Sequence, residues 1–128
     1  MGLFSNPDAL KRRVDKERWT FAFEAPDGDG WLIRATNSGS IPSTLSLDSM
    51  SFPRVENAKT QLSIIDGAGP FLNPGKSLIL RFSVTLDGEP QLAGGDLHLN
   101  WASHPSELNI AEIMLAVIRL HSLEPRQS

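Results

Sequence analysis

The clearest pattern in the sequence is an alternation of apolar and polar residues over positions 78–86, which read LILRFSVTL. Every even-numbered position in this run is apolar, whereas Arg81, Ser83 and Thr85 between them are polar. Successive side chains of a β-strand point to opposite faces, so a period of two predicts a strand with one buried face.

Five further alternations predict strands at about 19–24, 31–36, 45–52, 60–65 and 97–101, separated by glycine- and proline-rich turns. Asn37-Ser38-Gly39 closes one predicted strand, and Asn73-Pro74-Gly75 opens the strand at 78–86. In the long connection at 66–75, the side chains of Phe71 and Leu72 are expected to be buried beneath the loop. The residues predicted to face the core occupy the alternate apolar positions of three of these strands. They are Trp31, Leu80, Phe82, Leu99 and Trp101.

The two ends of the chain carry different patterns. Residues 1–18 predict a short helix, because Asn6 can cap it and Pro7 suits the first helical position. Residues 107–123 leave two alternatives open. Helical spacing of the apolar residues slightly favours a helix, whereas closure of the fold favours a seventh strand with both faces apolar.

Length and composition narrow the class of protein. The 128 residues suit one domain with its own core, and the absence of cysteine excludes disulfide scaffolding, thiol catalysis and cysteine-ligated zinc. With a net charge of −3, the protein has no positive electrostatic potential that would attract a phosphate backbone. No nucleic-acid partner is therefore expected. The basic residues at 11–18 alternate with acidic ones and predict a solvated surface.

The sequence also predicts the cellular location of the protein. No stretch approaches the roughly 18 consecutive apolar residues of a membrane span. Residues 1–7 show neither a basic leader nor a long apolar core. A cytoplasmic protein with no membrane span is therefore expected.

Two loops resemble ligand-binding motifs and fail on spacing. Gly75-Lys76-Ser77 ends like a phosphate-binding loop, but Pro70 stands where that motif needs glycine, and a strand pattern follows instead of a helix. Asp27-Gly28-Asp29-Gly30 starts like a calcium loop, but Trp31 and Ser38 occupy later ligand positions. Both segments are predicted to be plain connections.

The remaining candidates for chemistry are histidines. His98, His104 and His121 show no spacing that places two imidazoles on one metal ion. A triad of Ser103, His104 and Asp96 has no nucleophile-elbow spacing to support it. The sequence therefore predicts no catalytic residue, no cofactor-binding residue, no metal ligand and no cofactor.

Three segments resemble bacterial immunoglobulin-like modules, including the cell-adhesion-related type. Residues 31–42 resemble the second strand and its Asn-x-Gly turn, residues 72–86 resemble the strand that follows a Pro-Gly turn, and residues 97–101 resemble the penultimate strand. The resemblance implies a non-catalytic interaction or spacer module.

These patterns together predict an all-β protein. Residues 19–123 form an immunoglobulin-like antiparallel β-sandwich of about seven strands, preceded by the helical extension 1–18 and followed by a flexible tail, 124–128. The expected function is a non-enzymatic module that presents loops or a sheet edge to an unidentified protein partner. Two alternatives stay open: a structural component of a larger assembly, such as a phage or capsid-like particle, and an enzyme whose site the sequence does not show.

Overall fold

The computed structural model describes residues 18–67, 69–104 and 113–124, and the regular structure within these ranges is entirely β-strand. It contains seven strands of seven to ten residues and two strands of two residues. The strands are β1 Trp19–Asp27, β2 Gly30–Asn37, β3 Ser43–Ser51, β4 Lys59–Asp66, β5 Phe71–Leu72, β6 Ser77–Leu86, β7 Glu89–Pro90, β8 Gly95–His104 and β9 Met114–Leu120.

The strands form two antiparallel sheets. The first sheet has the order β1-β2-β6-β4, with the short β7 paired to the end of β6. The second sheet has the order β5-β3-β8-β9. The all-β prediction is confirmed, and each of the seven longer strands corresponds to a segment for which the sequence predicts or allows a strand.

One apolar core includes side chains from both sheets. The five predicted core residues are all buried, with exposed fractions of 5% or less. Three aromatic rings pack together in this core: the centroids of Trp31 and Phe82 are 6.0 Å apart, and that of Phe52 lies 5.7 Å from Phe82. Full burial of such a side chain stabilises a fold by roughly 1.5–3 kcal/mol, so the alternating face of β6 is a main source of stability.

The slight preference for a helix in the C-terminal segment is wrong for residues 114–120, which form β9. This strand pairs with β8 from Met114↔Trp101 to Leu120↔Gly95, and its residues Ile118 and Leu120 are buried in the core. Pairing with β8 supplies backbone hydrogen bonds and a buried face together, and this tertiary context decides between two patterns that are nearly equal locally.

Three other predictions concern the two ends of the chain and the connection before β6. The helix predicted at 1–18 falls almost entirely outside the described residues, as does the tail predicted at 124–128; Arg18 and Glu124 are described and belong to no strand. Leu72 is buried as predicted, but Phe71 is 54% exposed. Both lie in β5, where neighbouring side chains point to opposite faces, so the two cannot be buried together.

Candidate interaction surface

The four outer strands of the two sheets differ in how they are protected against pairing with another chain. β1 has an irregular register between Phe23 and Ala25 and contains Pro26, and β4 has a bulge between Ile64 and Asp66. β5 is only two residues long and pairs only with Ser43 and Thr44, so the rest of β3 also lies at this edge; β3 has an irregular register between Leu47 and Ser49. Bulges, prolines and short length are the devices by which natural sheets prevent edge-to-edge association.

β9 has none of these devices. It keeps one unbroken register with β8 over seven residues, contains no proline, and carries Arg119 as its single charged residue. A regular apolar strand at the edge of a sheet is a template for association. Among the edges that the structure describes, β9 is therefore the one best suited to contact another protein.

Exposed aliphatic side chains line the outer face of this edge. Ile113, Leu115 and Val117 are 61%, 59% and 55% exposed and alternate with side chains that point towards the core. We call these three residues the β9 row. Single exposed apolar residues are ordinary on protein surfaces, but a contiguous row rimmed by polar groups marks a site of interaction.

The positions of β8 beside the row carry polar side chains. On β8, Asn100 lies opposite Leu115, and His98 lies opposite Val117. Asp96 lies opposite Arg119, with 2.9 Å between Asp96 Oδ1 and Arg119 Nε. The one charged residue of β9 is thus paired with a carboxylate of β8.

β1 closes the core next to β9. The ring of Phe21 lies 5.7 Å from that of Trp101, and Phe23 meets His121 edge-on at 5.2 Å. β1 runs beside β9, but no β-pairing joins these two strands in the described ranges. The aromatic contacts therefore fill the interior next to β9, while the β9 row remains open to solvent.

The first sheet is different, because its strands β1 and β2 are joined by an ion pair. Arg34 makes a two-pronged contact with Glu24, with N–O distances of 2.8 and 2.9 Å. This hydrogen bonding lowers the pKa of Glu24 below its usual value. Surface ion pairs of this kind contribute little to stability, and the two charged groups offer a partner no apolar contact.

The Asp-Gly-Asp-Gly turn between β1 and β2 is held by an arginine. Arg81 Nε donates to Asp27 Oδ2 at 2.8 Å, and Arg81 Nη2 donates to Asp29 Oδ1 at 2.7 Å. A Cβ at Gly30 would lie 2.7 Å from Arg81 Cζ, so glycine at this position admits the guanidinium. The two carboxylates that resemble the start of a calcium loop therefore already share a cation from the protein itself.

The two asparagine-containing turns meet at the opposite end of the same sheet. Asn37 is fully buried, and its Nδ2 donates to the carbonyl oxygens of Leu72 at 2.9 Å and Ile41 at 3.0 Å. Its Oδ1 accepts from the backbone N–H of Gly39 at 3.0 Å. This side chain fastens two connections to the core, and we assign it a structural role.

The Gly-Lys-Ser segment leads into a strand, as its sequence predicts. Lys76 accepts a backbone hydrogen bond from Asn37 N at 2.9 Å, and the Ser77 hydroxyl lies 2.7 Å from that of Thr36. β6 begins at Ser77. The backbone amides of a helix N-terminus, which would face a phosphate group, do not follow this lysine.

The structure does not bring together the triad of Ser103, His104 and Asp96 that the sequence analysis considered. Asp96 and His104 lie eight positions apart on the single strand β8, which separates them by about 26 Å. The Ser103 hydroxyl is buried and finds no hydrogen-bond partner among the described residues. Within those residues no three histidine, aspartate or glutamate side chains form a cluster suited to a metal ion.

The β9 row was visible in the sequence only under the strand alternative for the C-terminal segment. Read as a strand, this segment is apolar on both faces, and one of those faces must lie outside the core of a single sandwich. No helix in the described ranges has the length and hydropathy of a membrane-crossing segment.

No protein-family model matches the chain, and no curated protein sequence matches it. Among solved structures, it is similar to the secreted serine protease VesC from Vibrio cholerae, with 11% sequence identity and a TM-score of 0.43. The match covers 88% of this chain and 24% of the protease chain. The chain thus spans about a quarter of that protein, and so distant a likeness assigns no activity to it.

Proposed function

We propose that this chain is a non-catalytic, immunoglobulin-like interaction module that binds a protein partner through the β9 row. The observation that carries the proposal is the combination of an unbroken register in an edge strand with three aliphatic side chains that are more than half exposed: Leu115 and Val117 within β9, and Ile113 directly before it. A partner that covers the row removes apolar surface from water, which favours association by about 25 cal/mol for each Å² covered.

The order of the strands supports the immunoglobulin-like assignment. When the seven longer strands are lettered A to G along the chain, the first sheet reads A-B-E-D and the second reads C-F-G, with the two-residue β5 added beside C. This is the strand arrangement of constant-type immunoglobulin domains. Sandwiches with this arrangement serve many functions, so the function rests on the surface and not on the fold.

The alternative function, a structural component of a repeating assembly, needs at least two association surfaces on each subunit. A bulge, a proline or short length protects each of the other described edges, and an ion pair joins β1 and β2 of the first sheet. A single unprotected edge favours a module with one partner over a repeating subunit. The cytoplasmic location and the absence of a nucleic-acid partner stay predictions.

The proposal is tested by comparing the full chain with two lysine variants. Leu115→Lys places a charge in the β9 row, and Ile65→Lys is the matched control because Ile65 is 50% exposed on the edge strand β4. Partners captured by the wild-type chain are identified, purified and titrated against all three proteins by calorimetry. We expect Leu115→Lys to weaken binding by at least about tenfold and Ile65→Lys to leave it within about twofold.

Equal binding by all three proteins would overturn the proposal. Loss of binding counts only if the variant is folded. Thermal unfolding followed by tryptophan fluorescence provides that check, since Trp31 and Trp101 are buried in the core.

A further inference from the structure

We infer that a cleft between β3 and β4 binds a small organic cation with a single aromatic ring, that is, an arylalkylamine. The cleft has a volume of about 190 Å³ and lies at the side of the sandwich opposite to β1 and β9. We call it the β3–β4 cleft. It is lined by Leu47, Asp48, Ser49, Met50, Leu62 and Leu99.

The cleft opens into the apolar core. Leu47, Met50 and Leu62 lie opposite buried residues of the neighbouring strands, and side chains at paired positions of a sheet share a face. All three therefore point towards the core, yet each is only partly buried. Leu99 lines the same cleft and is 1% exposed. A ligand that enters here covers apolar surface of the core itself, which favours its binding.

A bulge in β3 adds a carboxylate to this apolar lining. Leu47 and Ser49 pair with consecutive residues of β8, so Asp48 between them is an extra residue with no partner on that strand. Bulges of this kind redirect side chains and are frequent next to active sites. The extra residue places one acidic group at a cleft whose other side chains, apart from Ser49, are aliphatic or thioether groups.

The charge of Asp48 determines which ligands the cleft favours. Asp48 is exposed, and no basic side chain of the described residues forms an ion pair with it. Asp27 and Asp29, in contrast, share Arg81. The attraction between a carboxylate and a cation is stronger beside apolar protein than in bulk water. The cleft is therefore complementary to a ligand that combines an apolar body with a positive charge.

The volume of the cleft limits that body to one ring. An apolar cavity of roughly 150 Å³ admits benzene, whereas drug-sized ligands occupy pockets of about 300–1,000 Å³. At about 190 Å³, the cleft suits one aromatic ring with a short arm that carries the amine. The flexible thioether of Met50 can adapt its shape to such a ring, and contacts between sulfur and aromatic rings are favourable.

Titration of the full chain with three probes tests the ring and the charge separately. Benzylamine has both, benzyl alcohol keeps the ring without the charge, and methylamine keeps the charge without the ring. The NMR signal of the Met50 methyl group reports binding, and that of Met114, which does not line the cleft, is the internal control. We expect benzylamine to shift the Met50 signal saturably, benzyl alcohol to bind at least about threefold more weakly, and methylamine to cause no saturable shift.

Two variants of the full chain test the role of the carboxylate. Asp48→Asn removes the charge and keeps the size of the side chain, so the affinity for benzylamine should fall to within about twofold of that for benzyl alcohol. Asp87→Asn is the matched control, because Asp87 is exposed in the turn between β6 and β7 and does not line the cleft. It removes the same unit of charge and should leave the affinity within about twofold of wild type.

Three results would each overturn the arylalkylamine as the ligand. They are a Met50 signal that benzylamine leaves unchanged, equal affinities for benzylamine and benzyl alcohol, and equal affinities of wild type and Asp48→Asn for benzylamine. The outcome is independent of the proposed function, because the cleft and the β9 row share no residue. Leu115→Lys should therefore bind benzylamine as the wild type does.

Discussion

Gly75 donates its backbone N–H to the carbonyl oxygen of Asn37 at 2.7 Å, which joins the end of β2 to the turn before β6. Gly75 has a φ of +82°, a left-handed conformation that glycine adopts without strain. The buried amide of Asn37 binds Leu72 in the same region. Two turns about 36 positions apart in the sequence are therefore one structural unit, joined by backbone hydrogen bonds and by one buried side chain.

Replacement of this side chain should destabilise the fold strongly. Asn37→Ala leaves the buried carbonyl group of Leu72 and the half-buried one of Ile41 without their donor, and an unsatisfied buried polar group costs about 1–3 kcal/mol. We expect a loss of at least about 2 kcal/mol in the free energy of unfolding, measured by urea denaturation. Asn100→Ala is the matched control: Asn100 makes an exposed hydrogen bond to Ser49, so its loss should cost less than about 1 kcal/mol.

The centre of the core gives a second prediction. Phe82 is fully buried against the rings of Trp31 and Phe52, so Phe82→Ala removes a large apolar group and leaves a cavity. We expect a cost of about 3–5 kcal/mol, enough to unfold much of a domain of this size at 37 °C. Ile79→Ala, on the outer face of β6, should cost less than half as much. Equal melting temperatures for wild type and Phe82→Ala would contradict the observed register.

The turn between β1 and β2 predicts a dependence on pH. The hydrogen bond from Arg81 lowers the pKa of Asp29 below its ordinary value of 3.8, because the guanidinium favours the charged carboxylate. A lowered pKa in the folded state contributes stability that is present above the ordinary value and is lost as the pH falls through the folded-state pKa. Since Asp29 is exposed, we expect a small effect that weakens further in high salt.

An NMR titration of the Asp29 carboxyl measures this effect directly. In Arg81→Gln the pKa of Asp29 should return towards 3.8. Arg34→Gln is the control, because Arg34 pairs with Glu24 and should change the pKa of Glu24 instead. An Asp29 titration that is the same in wild type and Arg81→Gln would show that the ion pair is absent in solution.

The C-terminal strand gives a prediction for truncation. Removal of the chain from Glu107 onward deletes β9, which contributes Ile118 and Leu120 to the core and covers one edge of β8. The shortened chain exposes both the core and a long strand edge, so we expect unfolding or aggregation, measured by light scattering during expression and refolding. A stable monomeric product would show that β9 is dispensable for the fold and acts only in binding.

For four of the longer strands, β1, β2, β6 and β8, the sequence alone determined that they form and which of their faces is buried. The period of two in β1, β2, β6 and β8 encodes both properties locally, because consecutive side chains of a strand must point in opposite directions. The inward positions of Phe82 and Leu99 follow from that rule without knowledge of the neighbours. Glycine and asparagine in the turns are equally local signals, since they report the backbone conformation of their own positions.

Only the tertiary structure decided how these local pieces meet. Residues 114–120 suit a helix or a strand, and the open edge of β8 selects the strand because it offers hydrogen bonds to a whole backbone. Arg81 reaches the carboxylates of Asp27 and Asp29 because β6 lies beside β2, a neighbour relation between distant segments. The exposure of the β9 row is likewise a property of the complete sheet order. Alternation specifies two faces for each strand, and the closure of the two sheets determines which face and which edge remain in contact with water.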